Sequence, residues 1–222
     1  MKNYLICLSI IMAVFFSCAT SPIQKRTAAG LYGMIYDGDN KPVKEVKIYA
    51  GDKFSAISDI NGHFSLPGLK PGKEYRIKAC KENYEAVELE IDYLDPQNVL
   101  YINIYHVDQL LNLAEQALRD KDWLQTESLL SRTEYAHGDY PSIQYLRGIM
   151  AFHRGEYDNA LGILIKLTEQ EKAPYLYLFI ADLYQYYTGD KDRAVLFLNK
   201  FLELRYDTEL DNRIRELTGS GT

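Results

Sequence analysis

The sequence predicts a chain of two parts, a seven-stranded antiparallel β-sandwich followed by an α-helical solenoid of repeated hairpins. Three observations predict it. From Leu31 to Tyr105, apolar and polar residues alternate in short runs broken by turn residues, the period-2 pattern of strands with one buried face. At Val107 the apolar spacing changes to that of a helix. Beyond it the chain repeats itself: Gly155-Glu156-Tyr157-Asp158-Asn159-Ala160 returns as Gly189-Asp190-Lys191-Asp192-Arg193-Ala194, 34 residues later.

The strands follow in order. Leu31 to Tyr36 is the first, and Asp37-Gly38-Asp39-Asn40-Lys41-Pro42 turns the chain. Val46, Ile48 and Ala50 alternate with Lys47 and Tyr49, so one face is buried and the other wet. Phe54 to Ser58 and His63 to Leu66 flank Asn61-Gly62, which predicts a hairpin with a type I′ turn. Pro67-Gly68 and Pro71-Gly72 mark the next loop, before the alternating sets Tyr75, Ile77, Ala79 and Val87, Leu89, Ile91. Asp95-Pro96 leads into a last strand from Val99 to Tyr105. Short strands with frequent turns indicate a small antiparallel sandwich over 30–106.

These residues also resemble the carboxypeptidase regulatory-like domain. Gly33-x-Ile35-x-Asp37 and Lys41-Pro42-Val43-x-x-Val46-x-Ile48 look like its start. Ser58-Asp59-x-Asn61-Gly62-x-Phe64-x-Leu66-Pro67-x-Leu69-x-Pro71-Gly72-x-x-Tyr75 matches its most distinctive stretch. The resemblance implies a transthyretin-like sandwich that acts as a spacer or binding surface and has no catalytic role. Asp59-x-Asn61-Gly62 lacks the carboxylate series and terminal glutamate of a calcium loop, so it reads as a turn.

In the second part, Leu110, Leu111, Ala114, Ala117 and Leu118 share one side of a helix, and Leu124, Leu129 and Leu130 follow on another. Trp123 stands 34 residues before Tyr157, and Leu130, Leu164 and Leu198 keep the same interval. That interval is the length of a tetratricopeptide repeat, a helix-turn-helix unit. Gly155 and Gly189 suit the left-handed end of a first helix. Ala160, Ala194 and Gly148 are small enough for close helix contact, and Pro141 and Pro174 suit helix starts. The region 107–207 thus resembles three tetratricopeptide repeats. The first departs most, with Lys121 for the glycine and Thr126 for the alanine, and the third has Asp182 where the second has Gly148. Leu210, Ile214 and Leu217 define a capping helix over 208–218, and 219–222 reads as a disordered tail. Almost no linker separates the two parts, so they should dock firmly.

In that family the first helix of each unit lines a groove for peptides or partner helices. Aligned on the glycines, the positions facing it here are Tyr145, Ile149, Phe152 and His153 in the second repeat. In the third they are Phe179, Leu183, Tyr186 and Tyr187. Two readings stay open: an apolar, aromatic surface free for a partner, or residues packed against the next repeat or the β half.

The N-terminus speaks to location. Lys2 precedes an apolar run from Tyr4 to Phe16, too short to span a bilayer at about 20 residues and fitting an export signal. Phe15-Phe16-Ser17-Cys18 resembles a lipobox, departing from it at Phe15 and Phe16. The resemblance implies a bacterial lipoprotein: a signal peptide over 1–17, lipid on Cys18 and a tether over 18–29. The alternative is plain secretion after cleavage near Ala19 or Ser21. Ala19 stands where an aspartate would retain a lipoprotein in the inner membrane, so the expected place is the outer membrane, facing the periplasm or the cell surface.

The net charge of −6 over 222 residues argues against a nucleic-acid binder. Cys80 is left as the one ordinary thiol and reads as a small buried hydrophobe. His63, His106, His137 and His153 show no metal-ligand spacing, and nucleophile elbows, phosphate loops and dinucleotide motifs are absent from the sequence. The sequence therefore points to a non-enzymatic, membrane-anchored adaptor or scaffold with no cofactor or metal. One alternative is a carbohydrate-binding lipoprotein with Tyr32, Tyr36 and Tyr49 as an aromatic platform. Another is an accessory subunit of an enzyme.

Overall fold

A computed structural model describes residues 30–137 and 140–219. The expected signal peptide 1–17, Cys18, the tether 18–29 and residues 220–222 of the tail lie outside the described residues. The first part holds β1 (Gly30–Tyr36), β2 (Lys47–Ala50), β3 (Phe54–Ile57), β4 (His63–Pro67), β5 (Lys73–Cys80), β6 (Val87–Tyr93) and β7 (Val99–Asn103).

The sheet arrangement corrects the expectation of a seven-stranded antiparallel sandwich. The strands fall into two small sheets, a three-stranded one in the order β4-β1-β7 and a four-stranded one in the order β3-β2-β5-β6. β1 and β7 pair in parallel, with Tyr32 opposite Val99 and Tyr36 opposite Asn103. The other strand pairs are antiparallel. The two sheets share one core. Leu31, Ile35, Phe64, Leu66 and Ile102 of the first sheet pack with Ile48, Ala50, Ile77, Ala79 and Tyr93 of the second.

Asn61-Gly62 is corrected as well. β3 belongs to one sheet and β4 to the other, so the turn carries the chain between sheets and closes no hairpin. Only Gly62 of the two has positive φ, at +76°, and a Cβ there would lie 2.4 Å from the Ile35 carbonyl oxygen. The Asp59 carboxylate organises the turn, its Oδ1 accepting from the backbone N–H groups of Asn61 and His63 at 2.9 and 2.8 Å. This local bonding sets a turn geometry other than type I′.

The second part consists of α1 (Val107–Arg119), α2 (Trp123–His137), α3 (Pro141–His153), α4 (Tyr157–Gln170), α5 (Pro174–Asp182), a π-helical segment (Leu183–Thr188), α6 (Lys191–Leu204) and α7 (Thr208–Thr218). The helices pack as consecutive pairs, α1 on α2, α3 on α4, and α5 with the π-helical segment on α6. The turn inside each pair contains a left-handed residue: Lys121 at φ +59°, Gly155 at +76° and Gly189 at +75°. Within the second pair, a Cβ on Gly148 would come 2.6 Å from Leu164 Cδ2; the missing side chain is what lets α3 and α4 close. Ala160 and Ala194 are fully buried. Thr126, at the equivalent place in the first pair, is also buried, and its hydroxyl donates to the Asp122 carbonyl at 2.7 Å.

The two parts meet through a half-buried ion pair. Glu85 accepts from Arg132 Nε and Nη2, each at 2.9 Å, and from the Tyr105 backbone N–H at 3.1 Å. The Arg132 guanidinium lies 5.1 Å from the centre of the Tyr105 ring. The Val107 N–H donates to the Asn83 carbonyl at 2.9 Å, tying the start of α1 to the loop before β6.

Candidate functional site

The face drawn through Tyr145, Ile149, Phe152 and His153 lies on α3. Pro141 in the first turn starts that helix, and Arg154 followed by left-handed Gly155 ends it. Phe152 is half-buried at the centre of an aromatic knot. Its ring centre lies 5.4 Å from Phe179 at 87° and 5.0 Å from Tyr187 at 90°, with His153 at 5.3 Å and Tyr157 at 6.1 Å. Tyr187 also meets Tyr157 at 4.9 Å. Edge-to-face rings of this kind attract beyond their buried area, by about 0.5–1.5 kcal/mol a pair. Tyr145 packs edge-to-face on Tyr175 at 5.6 Å, and Ile149 is half-buried against the core of the first pair.

The structure thus brings together Phe152, His153, Phe179 and Tyr187, and sets Tyr145 beside Tyr175. Leu183 is fully buried and offers nothing to a partner. The α-helix gives way to a π turn at Leu183, so the face projected from Phe179 at α-helical spacing does not continue through it. Tyr186 is 64% exposed and lies under the Arg213 guanidinium of α7, 5.1 Å from its ring centre. Arg213 Nε donates to Gln185 at 2.7 Å. Its Nη2 lies 2.7 Å from Asp182 Oδ1, an ion pair by distance without the alignment of a hydrogen bond.

Two contributors escape the alignment on the glycines. Tyr157 follows the repeated Gly-x motif, and Tyr175 stands one helical turn before Phe179, so i, i+4 spacing carries the signal for Tyr175. Burial, together with its hydrogen bond to the Glu171 carboxylate at 2.9 Å, pushes the phenol of Tyr175 up to about 12. The face is therefore an inner layer, Phe152 and Phe179, packed against its own chain, with an open rim of His153, Tyr175 and Tyr187, whereas Tyr186 is turned to Arg213 of α7.

Other expectations fall differently. Tyr32 and Tyr36 lie on β1, whereas Tyr49 is on β2 of the other sheet, so these three form no common platform. Cys80 is half-buried and lines a cleft of about 470 Å³ at the junction with Lys81, Tyr84 and Tyr135. Among the described residues, no cluster of three or more His, Cys, Asp or Glu could hold a metal ion. No helix among them is long and apolar enough to cross a membrane.

The helical part is, by its own geometry, a stack of tetratricopeptide-like helix pairs. No protein-family model and no curated protein matches the chain. Solved structures similar to it include the N-terminal domain of stress-induced protein-1 from C. elegans, at 13% identity and a TM-score of 0.44, covering 50% of this chain and 94% of that one. The TPR2AB domain of yeast Sti1 in complex with pHSP90 is similar at 15% identity and a TM-score of 0.44, covering 51% of this chain and 46% of that one. A thermophilic TPR protein of Thermus thermophilus shares 27% identity at a TM-score of 0.39, covering 50% of this chain and 60% of that one.

Proposed function

We propose that this chain is a non-enzymatic adaptor or scaffold of the bacterial cell envelope. Lipid on Cys18 anchors it to the outer membrane, and the second and third helix pairs bind a protein partner. The β part, which resembles a carboxypeptidase regulatory-like domain, serves as the spacer that holds those pairs away from the bilayer. One observation carries the reading: the open rim of His153, Tyr175 and Tyr187 around a self-packed aromatic floor. Tyrosine on a rigid floor is the kind of residue that dominates protein interfaces, because its large area is ordered at little entropic cost. The rim is apolar and aromatic, so its partner is a hydrophobic segment or the apolar stripe of a helix.

The test is affinity capture from the native membrane with the intact protein, against a Tyr175→Ala/Tyr187→Ala variant whose melting curve shows an intact fold. A partner held by the intact protein and lost from the variant is the expected result. Capture of the same partners by both would overturn the assignment of this face.

A further inference from the structure

Among the described residues, four strands have an unpaired edge: β4 and β7 in the three-stranded sheet, β3 and β6 in the four-stranded one. A free edge presents unpaired backbone N–H and C=O groups, and proteins guard such edges with charge, with proline or by covering them. β6 has Glu88, Glu90 and Asp92. β4 ends in Pro67, and β3 packs against β4, which closes that side of the fold. β7 has no such guard within the strand itself. Val99-Leu100-Tyr101-Ile102-Asn103 contains neither charge nor proline. β6 belongs to the other sheet and does not pair with β7; a cavity of about 120 Å³ opens between them, lined by Ile91, Tyr93, Leu94, Val99 and Leu100, with Asp92 and Asp95 at its border. Tyr101 is exposed and stacks on Tyr36, with ring centres 6.5 Å apart, and Leu94 is 71% exposed.

We propose that the β7 edge pairs with the β7 edge of a second copy of this chain, antiparallel and centred on Tyr101, joining two three-stranded sheets into one of six strands. The strand is its own complement. Pairing about its midpoint sets Tyr101 opposite its counterpart and Val99 opposite the counterpart of Asn103, so no like charges meet and an aromatic pair forms. β6 is a poor candidate for self-pairing, because its carboxylates would face one another. A two-fold axis makes such a contact closed and specific. One five-residue strand buries far less than the roughly 1,200–2,000 Å² of a stable interface, so the dimer is weak and reversible. Confinement on a membrane, if the proposed tether holds, raises its local concentration. The strand pairing itself does not depend on the adaptor reading, since it uses a different surface from the helical rim.

The test uses the full-length protein in detergent, in a Cys80→Ser background. Residues opposite each other in an antiparallel pair have Cα atoms about 4.5–5.5 Å apart, within disulfide reach. Under mild oxidation Tyr101→Cys is expected to give a covalent dimer at least about tenfold faster than Val99→Cys, whose opposite number is Asn103. By sedimentation, the protein without engineered cysteines should shift from monomer to dimer between about 1 µM and about 1 mM, and Tyr101→Lys should stay monomeric. Tyr101 is exposed, so the lysine should leave the fold intact. Equal cross-linking at 99 and 101 overturns the proposal. So does self-association that Tyr101→Lys leaves unchanged, or a protein that stays monomeric throughout without cross-linking at 101. The cross-linking and sedimentation readouts use different variants, so misfolding of one leaves the other decisive.

Discussion

Lys121 sits at φ +59°, where the two later turns have glycine. A side chain in the left-handed region crowds its own carbonyl and costs roughly 1–2 kcal/mol. The first pair accepts that cost because the Asp122 N–H still reaches the Ala117 carbonyl at 2.9 Å, the same closure that Glu156 makes to Ala151 in the second pair. Lys121→Gly should therefore stabilise the protein. The gain is offset by the larger unfolded-state entropy of glycine, leaving about 0.5–1 kcal/mol, or a rise of about 1–4 °C in melting temperature for a chain of this size. A lower melting temperature for the variant would show that the lysine side chain itself stabilises the turn.

α7 is the element with the thinnest hold. None of its residues is fully buried, and Leu210, Ile214 and Leu217 only half-bury against the last core cluster. Arg213 supplies the rest through Asp182, Gln185 and the Tyr186 ring. Asp182, which breaks the repeat pattern at the place of Gly148, thereby has a use: it anchors the cap. Arg213→Ala removes a hydrogen bond from a charged donor and a charge pair, an effect of about 1.5–3 kcal/mol. Amide exchange across residues 208–218 should speed up by about 10- to 100-fold, with little change in the first pair. Unchanged exchange in α7 would mean that the leucine stripe alone holds the cap. At this scale the strands and helix pairs are legible in the sequence, because period 2 and a 34-residue interval are local signals. Sheet membership is not: which strand lies beside β1 depends on how the chain crosses between layers, and Asn61-Gly62 reads as a hairpin until Asp59 is seen to bond within the turn. The π segment also leaves no mark in the spacing, so α-helical projection puts the buried Leu183 on the proposed face; Tyr157 and Tyr175 are passed over for another reason, because alignment on the glycines samples neither position.

For the whole molecule, the question is whether the β part and the helix pairs unfold together. The covalent link is short, with β7 ending at Asn103 and α1 starting at Val107, but a short link alone does not couple stability. The coupling comes from Glu85, whose side chain is 10% exposed and paired with Arg132 from α2. Removing one member of a buried pair leaves the other desolvated and unpaired, at a cost that reaches about 3–5 kcal/mol when both are deep. Arg132 is 40% exposed on its side chain, which lowers the expected loss to about 2 kcal/mol. The exposed pair Arg76–Glu90 on β5 and β6 has the shorter contact, 2.8 Å, yet should contribute far less, because water and salt screen it. Glu85→Ala should thus lower stability several times more than Glu90→Ala, and the calorimetric trace should widen or split as the helix pairs lose their hold on the β part. Arg132→Lys should recover only part of the loss relative to Arg132→Ala, since one ammonium cannot replace a two-pronged contact. A single sharp transition in Glu85→Ala, displaced no further than in Glu90→Ala, would place the coupling in the apolar contacts around Tyr105 and Val107 and remove the ion pair from it.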